Sequence, residues 1–152
     1  MAYLLDTGVL LRLVNTQDGR HLMINGAVRE LIARQEHLHI TNQNVAEFLN
    51  VATRPIANNG FGWSSDQALD ALSIEIDPFC STLLETSDLQ THLRRLVKTY
   101  IVMGKQVHDA RLVAMMLSWK VKNILTLNEH DFRRYQSEGI TVVTPPSLIG
   151  LP

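Results

Sequence analysis

The chain of 152 residues has one cysteine, Cys80, so no internal disulfide can form and nothing in its composition calls for an oxidising compartment. No uninterrupted apolar stretch reaches the ~18 residues of a membrane-spanning helix. The first apolar run carries Asp6 and has no basic start, which sets it apart from a secretory leader. A cytoplasmic protein without membrane contact is therefore expected. A basic surplus is missing as well: 14 Lys and Arg against 15 Asp and Glu give a net charge of −1. A protein that coats duplex nucleic acid would show a strong positive excess. An enzyme whose acidic centre is neutralised by metal needs none, so charge leaves the partner open. There is no Cys/His spacing of the zinc type. Internal repeats and low-complexity tracts are also absent.

What is present is an ordinary globular composition, 45% hydrophobic and 19% charged. A chain of this length is expected to form one domain, residues 1–152, burying about 68–70% of its unfolded surface. "AYLLD" is a short apolar run ending on an acid, the pattern of a buried strand. Ile24, Val28, Leu31 and Ile32 fall at helical spacing within 22–35, and "HLHIT" (37–41) reads as a strand. Val45, Phe48, Leu49 and Ala52 predict a helix over 43–54, stopped by Pro55. Residues 55–66 are rich in turn formers and read as a loop. A helix over 66–75 and a strand over 81–85 follow. A helix over 88–103 is expected to close at Gly104. Residues 107–120 are apolar on nearly every side after Arg111, so that helix should be buried. Strands at 123–127 and 140–143 flank a short helix over 129–136. The alternation predicts an α/β fold of three layers, α/β/α, with a mostly parallel sheet covered by helices on both faces.

The triplet Asp6-Thr7-Gly8 is also the local signature of an aspartic protease. Those enzymes are all-β, and this chain lacks the succession of hairpins they require. In an open parallel sheet, ligands bind beyond the carboxyl ends of the strands. Asp6 ends the first strand and is placed there, although capping the following helix would use it equally well. Glu47 lies on the polar face of helix 43–54, and Asn44-x-x-Glu47 also resembles a capping box. Asp109 stands at the entrance of the most apolar helix, where the dipole favours it and burial demands a partner. In "TLNEHDF" (126–132), Asn128 is a candidate cap and Asp131 lies in the first turn. Each acid has a structural explanation of its own. Together they mark one edge of a parallel sheet, and gathered carboxylates either take up protons or hold hard cations. Oxygen-only ligands suit Mg²⁺ or Mn²⁺.

These residues resemble the PIN domain, and in particular the VapC-like toxins of bacterial toxin–antitoxin pairs. Asp6-Thr7, Asn44-x-x-Glu47-Phe48, "HDARLVA" (108–114) and "TLNEHDF" carry the likeness, which runs from Tyr3 to about Pro146. "VATRPIANNGFGWS" (51–64) resembles a stretch found in a subgroup of that family. The resemblance implies a Mg²⁺- or Mn²⁺-dependent endoribonuclease whose metal ligands and catalytic acids are Asp6, Glu47, Asp109 and Asp131. Thr7 and Asn128 would support the metal or the scissile phosphate. It further implies products with a 5′-phosphate and a 3′-hydroxyl, a homodimer and a cognate antitoxin. One departure stands out: Gly8 occupies a position where the family usually has Asn or Ser. That difference supports a rival reading, a PIN-like module that binds RNA or protein without cutting. Arg111, together with Arg94, Arg95, Lys98, Lys105, Arg133 and Arg134, is a candidate to guide an RNA strand. Phe61 and Trp63 are candidates to stack bases or to close a dimer interface.

Overall fold

The computed structural model covers residues 1–152. Five strands form one sheet: β1 (Ala2–Leu5), β2 (His37–Thr41), β3 (Cys80–Leu83), β4 (Asn123–Leu125) and β5 (Thr141–Val143). Their order is β3-β2-β1-β4-β5, and every pairing is parallel. Parallel neighbours need crossover connections, which the helices supply. These are α1 (Thr7–Val14), α2 (His21–Ala33), α3 (Asn42–Thr53), α4 (Ser65–Ala71), α5 (Leu89–Thr99), α6 (Gln106–Trp119), α7 (Glu129–Arg133) and α8 (Pro145–Leu148).

Alternation along the strands divides the core into two. Tyr3, Leu5, Leu38, Ile40 and Leu125 point to one face, where Val9, Leu10, Ile24, Leu31 and Phe48 of α1, α2 and α3 pack on them. Leu4, Leu83 and Ile124 point to the other, beneath Leu96 of α5, Leu112, Val113 and Met116 of α6, and Phe132 of α7. The three-layer α/β/α arrangement is as the alternation predicted, and α6 carries a run of buried residues from Leu112 to Met116. No helix is long and apolar enough to cross a membrane.

Several boundaries differ from the periodicity. The helix expected over 66–75 is α4 followed by a π-helical turn, Leu72–Ile76. Residues 55–66 contain a single 3₁₀ turn, Ile56–Asn58. The helix expected to reach Met103 stops at Thr99. There the buried Val102 turns inward and donates its N–H to the Val97 carbonyl at 3.0 Å, with Ile101 in the left-handed conformation at φ 51°. This is the backbone closure that glycine usually makes at a helix end. Gly104 belongs to the turn beyond it.

The chain passes from β1 to β2 and β3 on one side, then crosses to β4 on the other. The strand order therefore reverses beside β1, and the crevice at the carboxyl ends of β1 and β4 is where such a sheet accommodates a ligand. Asp6 donates its backbone N–H to the Leu125 carbonyl at 3.0 Å, so the two strand ends that border the crevice are tied together.

Candidate active site

The carboxyl edge gathers the four acids. Asp6 follows β1, Glu47 lies in the second turn of α3, Asp109 in the first turn of α6 and Asp131 in α7. Each arrives by a short path from a strand end or a helix start, which explains how residues 125 positions apart in sequence share one cleft.

Asp6 is buried at 7% exposure and performs both duties that its position allowed. One carboxylate oxygen accepts the Thr7 backbone N–H at 2.8 Å and caps α1. The other accepts the Thr126 hydroxyl at 2.7 Å. Thr126 is fully buried just beyond β4, and its oxygen accepts the Asn128 N–H at 2.9 Å. It holds Asp6 and shapes the loop that leads to Asp131. Thr126 opens the "TLNEHDF" motif, but the sequence assigned it no role of its own.

Glu47 does not form the expected capping box with Asn44. The box that caps α3 is Thr41 with Asn44: the Thr41 oxygen accepts the Asn44 N–H at 3.2 Å, and the Asn44 side chain accepts the Thr41 N–H at 2.8 Å. The spacing from Asn44 was misleading because the cap of α3 is Thr41, three residues earlier. Glu47 is left free to accept the Thr7 hydroxyl at 2.6 Å and the Gln43 amide at 2.7 Å. Asn44 donates in turn to the Thr7 oxygen at 3.0 Å. Thr7 thus joins α1 to α3. Gln43, also missed in the sequence, joins α3 to α6: its amide nitrogen donates to the His108 carbonyl at 2.8 Å, and its oxygen accepts Arg111 Nη1 at 2.9 Å.

The other two acids are held differently. Neither the Asp109 nor the Asp131 carboxylate accepts a hydrogen bond from the protein, although both are half-buried. Asn128, the expected cap of α7, makes no side-chain capping bond, and its backbone N–H donates to the Thr126 hydroxyl oxygen. Burial pushes the Asp109 carboxyl up from about 3.8 to about 7, with Asp6, Asp131 and Glu47 adding repulsion and Arg134 partly offsetting it. Burial also raises Asp6, against the hydrogen bonds from Thr126 and Thr7. The four acids therefore lie within one another's fields. As the side chains stand, no three His, Cys, Asp or Glu groups enclose a point where an ion would sit. The donor set is nonetheless all oxygen, two carboxylates lack any donor, and the repulsion is what a hard cation would relieve.

The candidate cations divide into paired and unpaired. Arg111 pairs with Glu85, Arg95 with both oxygens of Glu138 at 2.8 Å, and Arg133 with Glu129 at 2.7 Å. Arg94, Lys98, Lys105 and Arg134 make no ion pair, and Arg134 is the one whose charge is felt at Asp109. Phe61 and Trp63 lie 5.0 Å apart and pack on the core beneath α1 to α4. Gly8 sits in the first turn of α1, where its carbonyl accepts Arg12 Nη1 at 3.0 Å. Beside the acids, a polar groove of about 710 Å³ opens between α3 and α6, with Glu47 on its wall.

A PIN domain family model matches residues 3–138. No curated protein matches the chain. Among solved structures, the complex VapBC2 from Rickettsia felis, bound to a DNA fragment from its promoter, is similar at TM-score 0.69 and 15% identity. That match covers 95% of this chain and 98% of the other. VapC20 of Mycobacterium tuberculosis, described as a toxin cleaving the sarcin–ricin loop, matches at TM-score 0.64 and 16% identity, covering 91% of this chain and 96% of that one. VapBC-1 of nontypeable Haemophilus influenzae matches at 0.67 and 18%, covering 95% and 98%. Identities this low establish a common fold.

Proposed function

The chain belongs to the PIN domain family, and from that premise we propose that it is a metal-dependent endoribonuclease, the toxin of a toxin–antitoxin pair. The observation that carries the reading is the convergence of Asp6, Glu47, Asp109 and Asp131 on one cleft, where burial and mutual repulsion raise Asp109 to about 7. In this reading the four carboxylates hold Mg²⁺ or Mn²⁺. A bound cation supplies an activated water and neutralises charge on the phosphodiester.

The chain's own residues do the rest. Thr126 and the Thr7 N–H fix both oxygens of Asp6. The Thr7 hydroxyl and Gln43 aim Glu47 into the cleft. Arg134, the cation felt at Asp109, is placed to balance a phosphate that approaches the acids. Asn128 is exposed on the loop between β4 and α7, with its side chain uncommitted and available to the substrate. Arg111, on the groove wall, is a second substrate contact, already oriented by Gln43. The products carry a 5′-phosphate and a 3′-hydroxyl. The antitoxin partner is supported by the likeness to the VapBC complexes of Rickettsia felis and Haemophilus influenzae. A homodimer and a cytoplasmic location complete the proposal.

The test is cleavage of single-stranded RNA by the purified chain with Mn²⁺, with Mg²⁺ and with EDTA. Cleavage that requires the cation and falls more than ~100-fold in Asp109→Asn supports the reading, since a ligand should cost more than the residues that merely orient it. Metal-independent cleavage, or a fully active Asp109→Asn protein, defeats it. RNA binding without cleavage would favour the non-cutting module that Gly8 suggests.

A further inference from the structure

We propose that the groove between α3 and α6 is a base-reading subsite for unpaired RNA, with Asn42 and Asn50 as its specificity-determining residues. The inference rests on the nuclease reading above and extends it to the groove that adjoins the acids at Glu47.

The groove holds about 710 Å³, and Ala46 is its only apolar lining residue. Glu47 belongs both to this wall and to the acid cleft, so a strand whose phosphate meets the acids has a neighbouring nucleotide at the groove mouth. Asn42, Ala46 and Asn50 are spaced four apart and form one exposed row along α3. Neither asparagine side chain makes a hydrogen bond within the protein, unlike Asn44 on the same helix, whose amide is fully engaged. Ala46 between them keeps the floor low enough for a flat ligand to lie across it.

The chemistry of the lining distinguishes among ligands. Arg111, the one cation of the lining, is paired with Glu85 and bonded to Gln43, so its charge is already partly balanced. The groove's one aromatic ring is the imidazole of His108. What it does offer is amide oxygen and nitrogen, the groups that pair with the donor and acceptor edges of bases. Such edges are accessible in RNA where the strand is unpaired. His108 on the facing wall is exposed, with its carbonyl already taken by Gln43 and its ring free.

The test uses the full chain and the variants Asn42→Ala, Asn50→Ala and the double change. Both residues are exposed and unbonded, so melting temperatures should stay within a degree or so and exclude misfolding. Cleavage of a randomised single-stranded RNA pool in Mn²⁺ gives the sequence preference, and fluorescence anisotropy of labelled oligonucleotides in EDTA gives affinity without turnover. We expect wild type to favour particular bases beside the cut, and the double variant to lose roughly tenfold or more of that discrimination, together with oligonucleotide affinity. An unchanged preference and affinity in the double variant overturns the subsite. If wild type binds oligonucleotides selectively in EDTA but never cleaves, the nuclease reading fails while the subsite stands or falls on the variants' affinities. Unaltered RNA binding combined with lost binding of a partner protein overturns it in favour of a protein ligand.

Discussion

The acid cleft has two halves that are built in opposite ways. On the α1–α3 side, Asp6 and Glu47 each accept two hydrogen bonds, from Thr7, Thr126 and Gln43. On the α6–α7 side, Asp109 and Asp131 accept none, and Asp109 carries the large upward shift. Hydrogen bonds to a carboxylate stabilise its charged form, whereas burial among like charges penalises it. The first half is therefore a fixed scaffold. The second holds carboxylates with no donor from the protein, a partner that a cation would supply, although burial raises Asp6 in the first half as well.

The sharpest way to break this contrast is to remove one acid from each side. Glu47→Ala and Asp109→Asn should both abolish cleavage, by more than ~100-fold. Their stabilities should move in opposite directions in EDTA at pH 8. Asp109→Asn removes a penalised charge and should melt higher, as substitutions at strained functional sites often do. Glu47→Ala strands the Thr7 hydroxyl and the Gln43 amide and should cost about 1–3 kcal/mol. Thermal melts that shift in the same direction for both would dissolve the distinction.

Thr126→Val is the next largest effect. The two side chains are nearly the same shape, but valine cannot donate to Asp6 or accept from Asn128. A buried carboxylate oxygen loses its partner, at a cost of about 1–3 kcal/mol. Activity should fall about 10–100-fold, the usual effect of removing a group that orients a metal ligand. The same measurement on Thr126→Ser, which keeps the hydroxyl, should recover most of the activity. A Thr126→Val protein with wild-type activity would show that Asp6 needs no support.

What could be read in the sequence, and what could not, follows the same divide. β2 was legible to the residue because "HLHIT" alternates, and α6 because it is apolar on nearly every side after Arg111. The position of Asp6, Asp109 and Asp131 at one sheet edge was legible because each follows a strand or starts a helix, and that of Glu47 because it lies on the polar face of α3. Gln43 was not, since its partner is remote: it reaches the His108 carbonyl across 65 positions, and although Thr126 opens "TLNEHDF", its bond to Asp6 across 120 positions was equally hidden. A lone glutamine has no spacing signal of its own. The end of α5 was obscured for another reason. The apolar period continues through Ile101, but the burial of Val102 makes the backbone close earlier, leaving Ile101 77% exposed.

A gentler test uses pH. The folded protein holds the Asp109 proton up to about 7, whereas an unfolded aspartate releases it near 3.8. Between those values the native state binds more protons than the unfolded one, so its stability should fall as pH rises. Asp6 is shifted the same way and adds to the slope. Melting temperature in EDTA should therefore decline from about pH 4 to pH 7, and Asp109→Asn should flatten that decline. Mn²⁺ should reverse the trend, because a cation binds the ionised carboxylates and its affinity grows as they lose protons. A slope unchanged by Asp109→Asn would place the titration elsewhere.

The smallest effect belongs to Gly8, which adjoins the hydrogen-bonded half. Glycine within a helix costs up to about 1 kcal/mol relative to alanine, and less in a first turn. A Cβ at this position would meet Arg12 Nη1 at 3.4 Å, an ordinary contact with the far end of a flexible side chain. Gly8→Ala should therefore stabilise the protein by about 0.5 kcal/mol, a rise of roughly 1–2 °C in Tm for a chain of this size. Because the Thr7 N–H and hydroxyl are already committed to Asp6 and Glu47, cleavage should remain within about twofold of wild type, as expected when an orienting network is left intact. Gly8→Asn separates backbone from side chain: a gain in activity beyond that of Gly8→Ala would mean that an amide here contributes a hydrogen bond the natural chain lacks. A loss of stability in Gly8→Ala would show instead that the first turn of α1 needs the freedom of glycine, and the scaffold half would then be less fixed than its hydrogen bonds indicate.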